Sequence, residues 1–114
     1  MWTKSYTLNF EQTLPIDRKT LWEFIETPYN LDQITPNWMN FEILSKPPAQ
    51  MYNGLLIHYK VGLPLLGKSN WVTEIKHIDP GTSFVDEQRI GPYHFWFHEH
   101  QLIPIDENNT KMLD

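Results

Sequence analysis

The chain has 114 residues, and fourteen Asp and Glu against nine Lys and Arg give it a net charge of -5. This charge, and the absence of any basic run longer than Arg18-Lys19, argues against a nucleic-acid-binding groove, which needs concentrated positive charge. The sequence contains no cysteine, which excludes disulfides, thiolate metal sites and a cysteine nucleophile. The length predicts a single domain over residues 1–114.

Hydrophobic residues make up 40% of the chain and aromatic residues 14%, a composition that argues against intrinsic disorder. The N-terminus lacks the apolar segment of a signal peptide, and no stretch is long and apolar enough to span a membrane. We therefore expect a cytoplasmic protein without a membrane span.

The first third of the sequence predicts a strand followed by two short helices. Apolar and polar residues alternate over residues 6–11, the period of a half-buried strand that opens the sheet. Asp17 is a good helix N-cap, and apolar residues at helical spacing follow it until Thr27-Pro28 ends the run. Residues 30–34 predict a further helical turn that ends before Pro36.

From residue 41 onward the pattern predicts a meander of short strands. The candidate strands cover residues 41–45, 55–61, 69–77, 83–89 and 93–103, and turn-forming Gly, Pro and Asn residues separate them. Asn108-Asn109 predicts a hairpin turn, after which residues 110–114 begin a last strand.

Four segments in this order carry a resemblance to a known family. They are NLDQITP at 30–36, MYNGLLIHYKV at 51–61, W-x-T-x-I at 71–75 and FVDEQRIGPYHFWFHEH at 84–100. The sequence resembles the ligand-binding SRPBCC proteins of the START-like, helix-grip superfamily, which includes polyketide cyclases and the birch-pollen-allergen proteins.

The resemblance implies an α+β fold in which a curved, seven-stranded antiparallel sheet with two short N-terminal helices encloses a hydrophobic cavity with a long C-terminal helix. This sequence ends before that helix. We therefore expect a START-like helix-grip domain that lacks it, and a homo-oligomer in which a second copy covers the open sheet face.

The candidate site lies on the last long strand, where His94, Trp96, His98 and His100 follow one another at two-residue steps and share one face. The resemblance implies that this face lines the cavity. Aromatic walls with a few polar groups are typical of small-molecule sites. We expect binding of a small hydrophobic or amphipathic molecule by six residues: Trp71, Asp86, Gln88, Trp96, His98 and His100.

Other interpretations remain open from the sequence. The same residues could form a structural polar network, or the protein could be a cyclase-like or dehydratase-like enzyme with His98 and Asp86 as its catalytic pair. A protein-interaction module is a third class. His98 and His100 could also face one metal ion, but His-x-His is not selective, so we predict no metal and no cofactor.

Overall fold

The computed structural model describes residues 6–30, 42–63 and 67–114. These residues form a seven-stranded antiparallel sheet with the strand order β1-β7-β6-β5-β4-β3-β2. The strands are β1 Glu11–Leu14, β2 Glu42–Ile43, β3 Leu56–Leu63, β4 Gly67–Asp79, β5 Ser83–Ile90, β6 Phe97–Asp106 and β7 Asn109–Leu113. From β2 to β7 each strand pairs with its neighbour in sequence, as predicted, and β1 adds to the free edge of β7.

The predicted first helix is confirmed as α1, Arg18–Ile25. The Asp17 side chain accepts a hydrogen bond from the backbone N–H of Thr20 at 3.0 Å, which satisfies one of the N–H groups that the first turn leaves free. A 3-10 turn, Pro28–Asn30, follows the helix. The predicted helical turn over residues 30–34 falls, beyond Asn30, outside the described residues.

A strand does open the sheet, but the predicted range of residues 6–11 begins too early. The strand β1 starts at Glu11, and Tyr6, Leu8 and Phe10 are 64–79% exposed. The last backbone hydrogen bonds of this strand pair join Phe10 to Asp114. The alternating residues before Phe10 have no partner strand among the described residues, so their pattern does not produce burial.

Two boundaries of the last hairpin also differ from the prediction. The strand β6 begins at Phe97, because residues 91–96 form an irregular loop. The hairpin turn is Glu107-Asn108, one residue earlier than predicted, and the Asp106 carboxylate accepts a hydrogen bond from the Asn108 N–H at 2.8 Å. A register shift between Pro104 and Asp106 accompanies this turn in the β6–β7 pairing.

The core lies between α1 and one face of the sheet, which we call the helix face. Trp22 of α1 packs edge-on against Phe84 of β5, with ring centroids 6.1 Å apart. Four apolar side chains of the central strands complete this core: Ile57, Ile75, Phe84 and Leu102. Leu102 therefore places the even-numbered residues of β6 on the helix face, as predicted.

The opposite face carries ion pairs beside apolar side chains that include Val85 and Leu56. Lys76 pairs with Glu87 on the neighbouring strand, and Arg89 lies 3.7 Å from Glu74. Successive residues of a strand point to opposite faces, so each strand residue belongs either to the helix face or to the opposite face. Neither α1 nor the 3-10 turn, the two helical segments in the described part of the chain, has the length and apolar character needed to cross a membrane.

Candidate functional site

The helix face changes character along its four central strands. Beneath α1 it is apolar, with Ile57, Ile75, Phe84 and Leu102. Two residues further along the same strands come Tyr59, Thr73, Asp86 and His100, and the next step reaches Val61, Trp71, Gln88 and His98. Because strand residues two apart share a face, these polar and aromatic groups extend the same surface beyond the helix. The candidate site lies in this second half.

Four ionisable side chains meet there, from β5, from β6 and from the residue that follows β7, and we call them the polar cluster: Asp86, His98, His100 and Asp114. His100 is their centre. Its Nε2 lies 2.6 Å from Asp86 Oδ2 and its Nδ1 lies 3.1 Å from Asp114 Oδ1. An ionised carboxylate only accepts, so both ring nitrogens of His100 donate when both bonds form, and the ring is then an imidazolium.

The electrostatics of the polar cluster agree with that geometry. Burial alone lowers the pKa of His100, but the hydrogen bonds and negative charges of Asp114 and Asp86 outweigh it and raise this pKa to about 9. The hydrogen bond from His100, with a smaller contribution from His98, holds the pKa of Asp114 well below its ordinary value. The His100 cation and the Asp114 carboxylate therefore stabilise each other's charged forms.

His98 is the most accessible member of the polar cluster. Its Nδ1 lies 3.6 Å from Asp86 Oδ2 and its Nε2 lies 3.7 Å from Asp114 Oδ1, both longer than a hydrogen bond. Its side chain is 32% exposed, whereas that of His100 is 10% exposed. The imidazole of His98 also lies 3.9 Å from that of His100, between ring centroids. A molecule on the helix face could therefore reach His98 more readily than His100, whose two ring nitrogens both face carboxylates.

An aromatic cluster adjoins the polar cluster and consists of Tyr59, Trp71, Tyr93 and Trp96. Trp71 is its centre: it stacks on Tyr59 with centroids 6.0 Å apart and meets Trp96 edge-on at 5.9 Å. Tyr93 lies 5.0 Å from Trp96, and Trp96 lies 6.3 Å from His98. Burial and the charge of Asp86 raise the pKa of Tyr59, which keeps its phenol protonated.

Trp71 holds a buried donor without a partner. Its side chain is 5% exposed, and its Nε1 has no hydrogen-bond acceptor in the described part of the chain. Leaving a buried donor unsatisfied costs about 1–3 kcal/mol. A group that accepts a hydrogen bond from Nε1 would recover this free energy.

Gln88 holds the loop that carries Tyr93 and Trp96. Its side-chain Nε2 donates to the Tyr93 carbonyl at 2.5 Å, and its Oε1 accepts from the Tyr93 N–H at 3.2 Å. Its backbone N–H also donates to the Trp96 carbonyl at 2.9 Å. Gly91 lies so close to the Gln88 side chain that a Cβ at this position would overlap it. The Gln88 side chain, which fits against Gly91, thus holds the loop that carries Tyr93 and Trp96 of the aromatic cluster.

The comparisons with known proteins rest on structure. No protein-family model and no curated protein matches the sequence. Among solved structures, protein Ms6760 from Mycobacterium smegmatis superposes with a TM-score of 0.65 at 14% identity, covering 92% of this chain and 68% of its own. A START superfamily protein from Mycobacterium smegmatis superposes with a TM-score of 0.60 at 9% identity, covering 93% of this chain and 71% of its own. The chain has a START-like fold.

A third solved structure agrees: TTHA0849 from Thermus thermophilus superposes with a TM-score of 0.64 at 11% identity, covering 93% of this chain and 70% of its own. The α+β class and the START-like sheet expected from the sequence are therefore confirmed. The superpositions establish the START-like fold. Because the sequence identities are low, the activity of the chain must be argued from its own residues.

The predicted site residues fall into three groups on this START-like sheet. Asp86, His98 and His100 meet in the polar cluster, and Trp71 and Trp96 meet in the aromatic cluster. Gln88 is buried beside them, with both ends of its amide bonded to Tyr93. His94 is exposed and precedes β6, so the predicted sharing of a face with His98 fails. Whether the six predicted residues contact a ligand remains a prediction.

Asp114 and Tyr93 were not predicted as site residues, and the orientation of Tyr59 was left open. The sequence could have placed Tyr59 on the helix face, because it lies two residues from the apolar Ile57 in β3. Asp114 had no such signal, because its face depends on the register of the β6–β7 hairpin. The predicted pairing of Asp86 with His98 also differs in detail, since the closer partner of Asp86 is His100.

Proposed function

We propose that the helix face of this START-like domain binds a small hydrophobic or amphipathic molecule at the border between the aromatic and polar clusters. The observation that carries the proposal is the buried Nε1–H of Trp71, which has no acceptor among the residues that the structure describes. Apolar walls with a few directed polar groups are the usual composition of a small-molecule site. The ligand best suited to this arrangement is flat and apolar, with a carbonyl or similar acceptor for Trp71.

The polar cluster supports the amphipathic form of the proposal. His98 is the accessible member, and it lies beside the Trp96 ring. A ligand whose apolar body covers Trp96 could therefore place a polar end against His98. His100 and Asp114 contribute indirectly, because their mutual hydrogen bond holds the His100 ring against that of His98.

Binding of the neutral dye Nile red tests the proposal, because it is flat, apolar and carries a carbonyl acceptor. Trp71→Phe keeps an aromatic ring and removes the N–H, and we expect it to weaken dye binding by about 3–10-fold, the value of one hydrogen bond. Trp96→Ala should weaken binding at least as much. Circular dichroism must show that both variants fold, since equal loss of folding favours a structural network instead.

Phe95→Ala is the matched control for Trp96→Ala. Phe95 is 67% exposed and stacks on Phe97 rather than on the aromatic cluster. Dye binding should not change in this variant. A loss as large as that of Trp96→Ala, or unchanged binding in Trp71→Phe and Trp96→Ala, refutes the proposed location.

Catalysis of a cyclase-like or dehydratase-like reaction is the alternative activity. Its specific support is the position of His98, accessible and near the carboxylates of Asp86 and Asp114. A general acid or base needs such an accessible group. If the protein is such an enzyme, it turns over a hydrophobic hydroxy-ketone, and His98→Ala should abolish this turnover while dye binding persists. If the protein only binds its ligand, the unmodified chain should show no turnover.

Closure of the helix face by a second copy is a separate proposal. Multi-angle light scattering of the purified chain decides it: a dimer supports it and a monomer at high concentration contradicts it.

A further inference from the structure

The two histidines of the polar cluster have a symmetrical arrangement around two carboxylates. One nitrogen of each ring faces Asp86 Oδ2, at 2.6 Å for His100 Nε2 and 3.6 Å for His98 Nδ1. The other nitrogen of each ring faces Asp114 Oδ1, at 3.1 Å for His100 Nδ1 and 3.7 Å for His98 Nε2. Structural hydrogen bonds from His100 to Asp86 and to Asp114 account for two of these four approaches and leave the position of His98 unexplained.

We propose that Asp86, His98 and His100 bind a divalent first-row transition metal ion. In this site Asp114 would accept hydrogen bonds from the histidine nitrogens that do not bind the metal. One ligand atom from each of the three residues lies within 4.8 Å of the others. In a tetrahedral zinc site, with ligands about 2.1 Å from the ion, neighbouring ligand atoms are about 3.4 Å apart. The distances of 2.6 and 3.6 Å from Asp86 Oδ2 lie on either side of this value.

Asp114 is the second, independent observation. A histidine that ligates a metal through one nitrogen nearly always donates its other N–H to a carboxylate or carbonyl group. His100 Nδ1 lies 3.1 Å from Asp114 Oδ1, in hydrogen-bond range, and His98 Nε2 lies 3.7 Å from the same oxygen. Asp114 therefore holds the His100 ring with its Nε2 towards Asp86, and His98 lies between the same two carboxylates with its Nδ1 towards Asp86.

The donor set selects the class of metal. Two imidazole nitrogens and one carboxylate oxygen suit Zn²⁺, Fe²⁺, Co²⁺ or Ni²⁺ rather than Mg²⁺ or Ca²⁺, which prefer oxygen alone. Three protein ligands leave a coordination position open, as in zinc sites that bind water or substrate. The partial exposure of His98 and Asp86, at 32% and 16%, provides the access that the ion needs.

Calorimetric titration of the chelator-treated protein with Zn²⁺, and visible spectroscopy with Co²⁺, test the site directly. We expect one equivalent of metal and a Co²⁺ spectrum typical of nitrogen and oxygen ligands at low coordination number. His98→Gln and Asp86→Asn should each remove this equivalent. Asp114→Asn should weaken Zn²⁺ binding by about 10–100-fold, the usual effect of losing such a supporting group.

His94→Gln is the matched control, because His94 is exposed and lies outside the polar cluster. It should bind Zn²⁺ as the unmodified chain does. The proposal is overturned if the unmodified chain binds no stoichiometric metal, if His98→Gln retains full affinity, or if His94→Gln loses as much affinity as His98→Gln.

A second measurement covers variants that fail to fold. In the unmodified chain, one equivalent of Co²⁺ should broaden or shift the ring proton resonances of His98 and His100 while those of His94 and His58 persist. Equal effects on all histidines overturn the proposal. No organic ligand is present in these titrations, so their outcome is independent of dye binding, and Trp71→Phe should weaken dye binding without changing the affinity for Zn²⁺.

Discussion

Substituting two adjacent residues of β3 tests which face of the sheet is the core, on which the position of the candidate site depends. Ile57 is 0% exposed on the helix face, whereas Leu56 is 57% exposed on the opposite face. Replacing a fully buried Ile by Ala removes apolar contacts and leaves a cavity, which costs about 2–5 kcal/mol. Replacing an exposed residue changes stability by about 0.5 kcal/mol or less.

Ile57→Ala should therefore lower the free energy of unfolding by several times as much as Leu56→Ala. Both substitutions place Ala in the same strand, so the difference between them reports burial rather than strand propensity. Urea unfolding followed by circular dichroism gives both values. If Ile57→Ala unfolds the protein outright, Ile57→Val should still cost about 0.5–1.5 kcal/mol. Equal losses for Ile57→Ala and Leu56→Ala would refute the assignment of faces.

Three further predictions concern the polar cluster, the loop and the helix. Because the folded pKa of His100 is about 9 against an ordinary 6.5, its stabilisation of the metal-free protein should be complete below about pH 6.5 and lost as the pH rises through 9. The urea unfolding midpoint should fall over this range, and it should fall less in Asp114→Asn. A midpoint that does not change with pH would contradict this role of His100. Gly91→Ala should displace the Gln88 side chain and thereby alter the near-ultraviolet circular dichroism of Trp96, while the far-ultraviolet spectrum stays the same. Unchanged spectra in both ranges would show that the loop does not depend on the contact between Gly91 and Gln88. Asp17→Ala should lower the urea unfolding midpoint, because it removes the acceptor for the Thr20 N–H, whereas the neighbouring Arg18→Ala should lower it less; equal shifts would contradict the capping role.

The strand meander could be predicted from the sequence because local chemistry determines it. Strands with period-two alternation and turns with Gly, Pro and Asn depend on near neighbours, and the observed β3, β4 and β5 match the predicted runs within a few residues. The helix start at Asp17 is local in the same sense. Alternation failed over residues 6–10, since a strand also needs a partner.

The shared face of His98 and His100 follows from the sequence alone, because residues two apart in a strand always lie on one side of it. What meets the two histidines depends on the tertiary structure. A turn at Asn108-Asn109 with uninterrupted pairing would place Asp114 opposite Ile103, on the other face. The earlier turn and the register shift near Pro104 instead pair Gln101 with Leu113 and bring Asp114 to His100. One residue of register reverses the face of a strand, and non-local pairing sets that register.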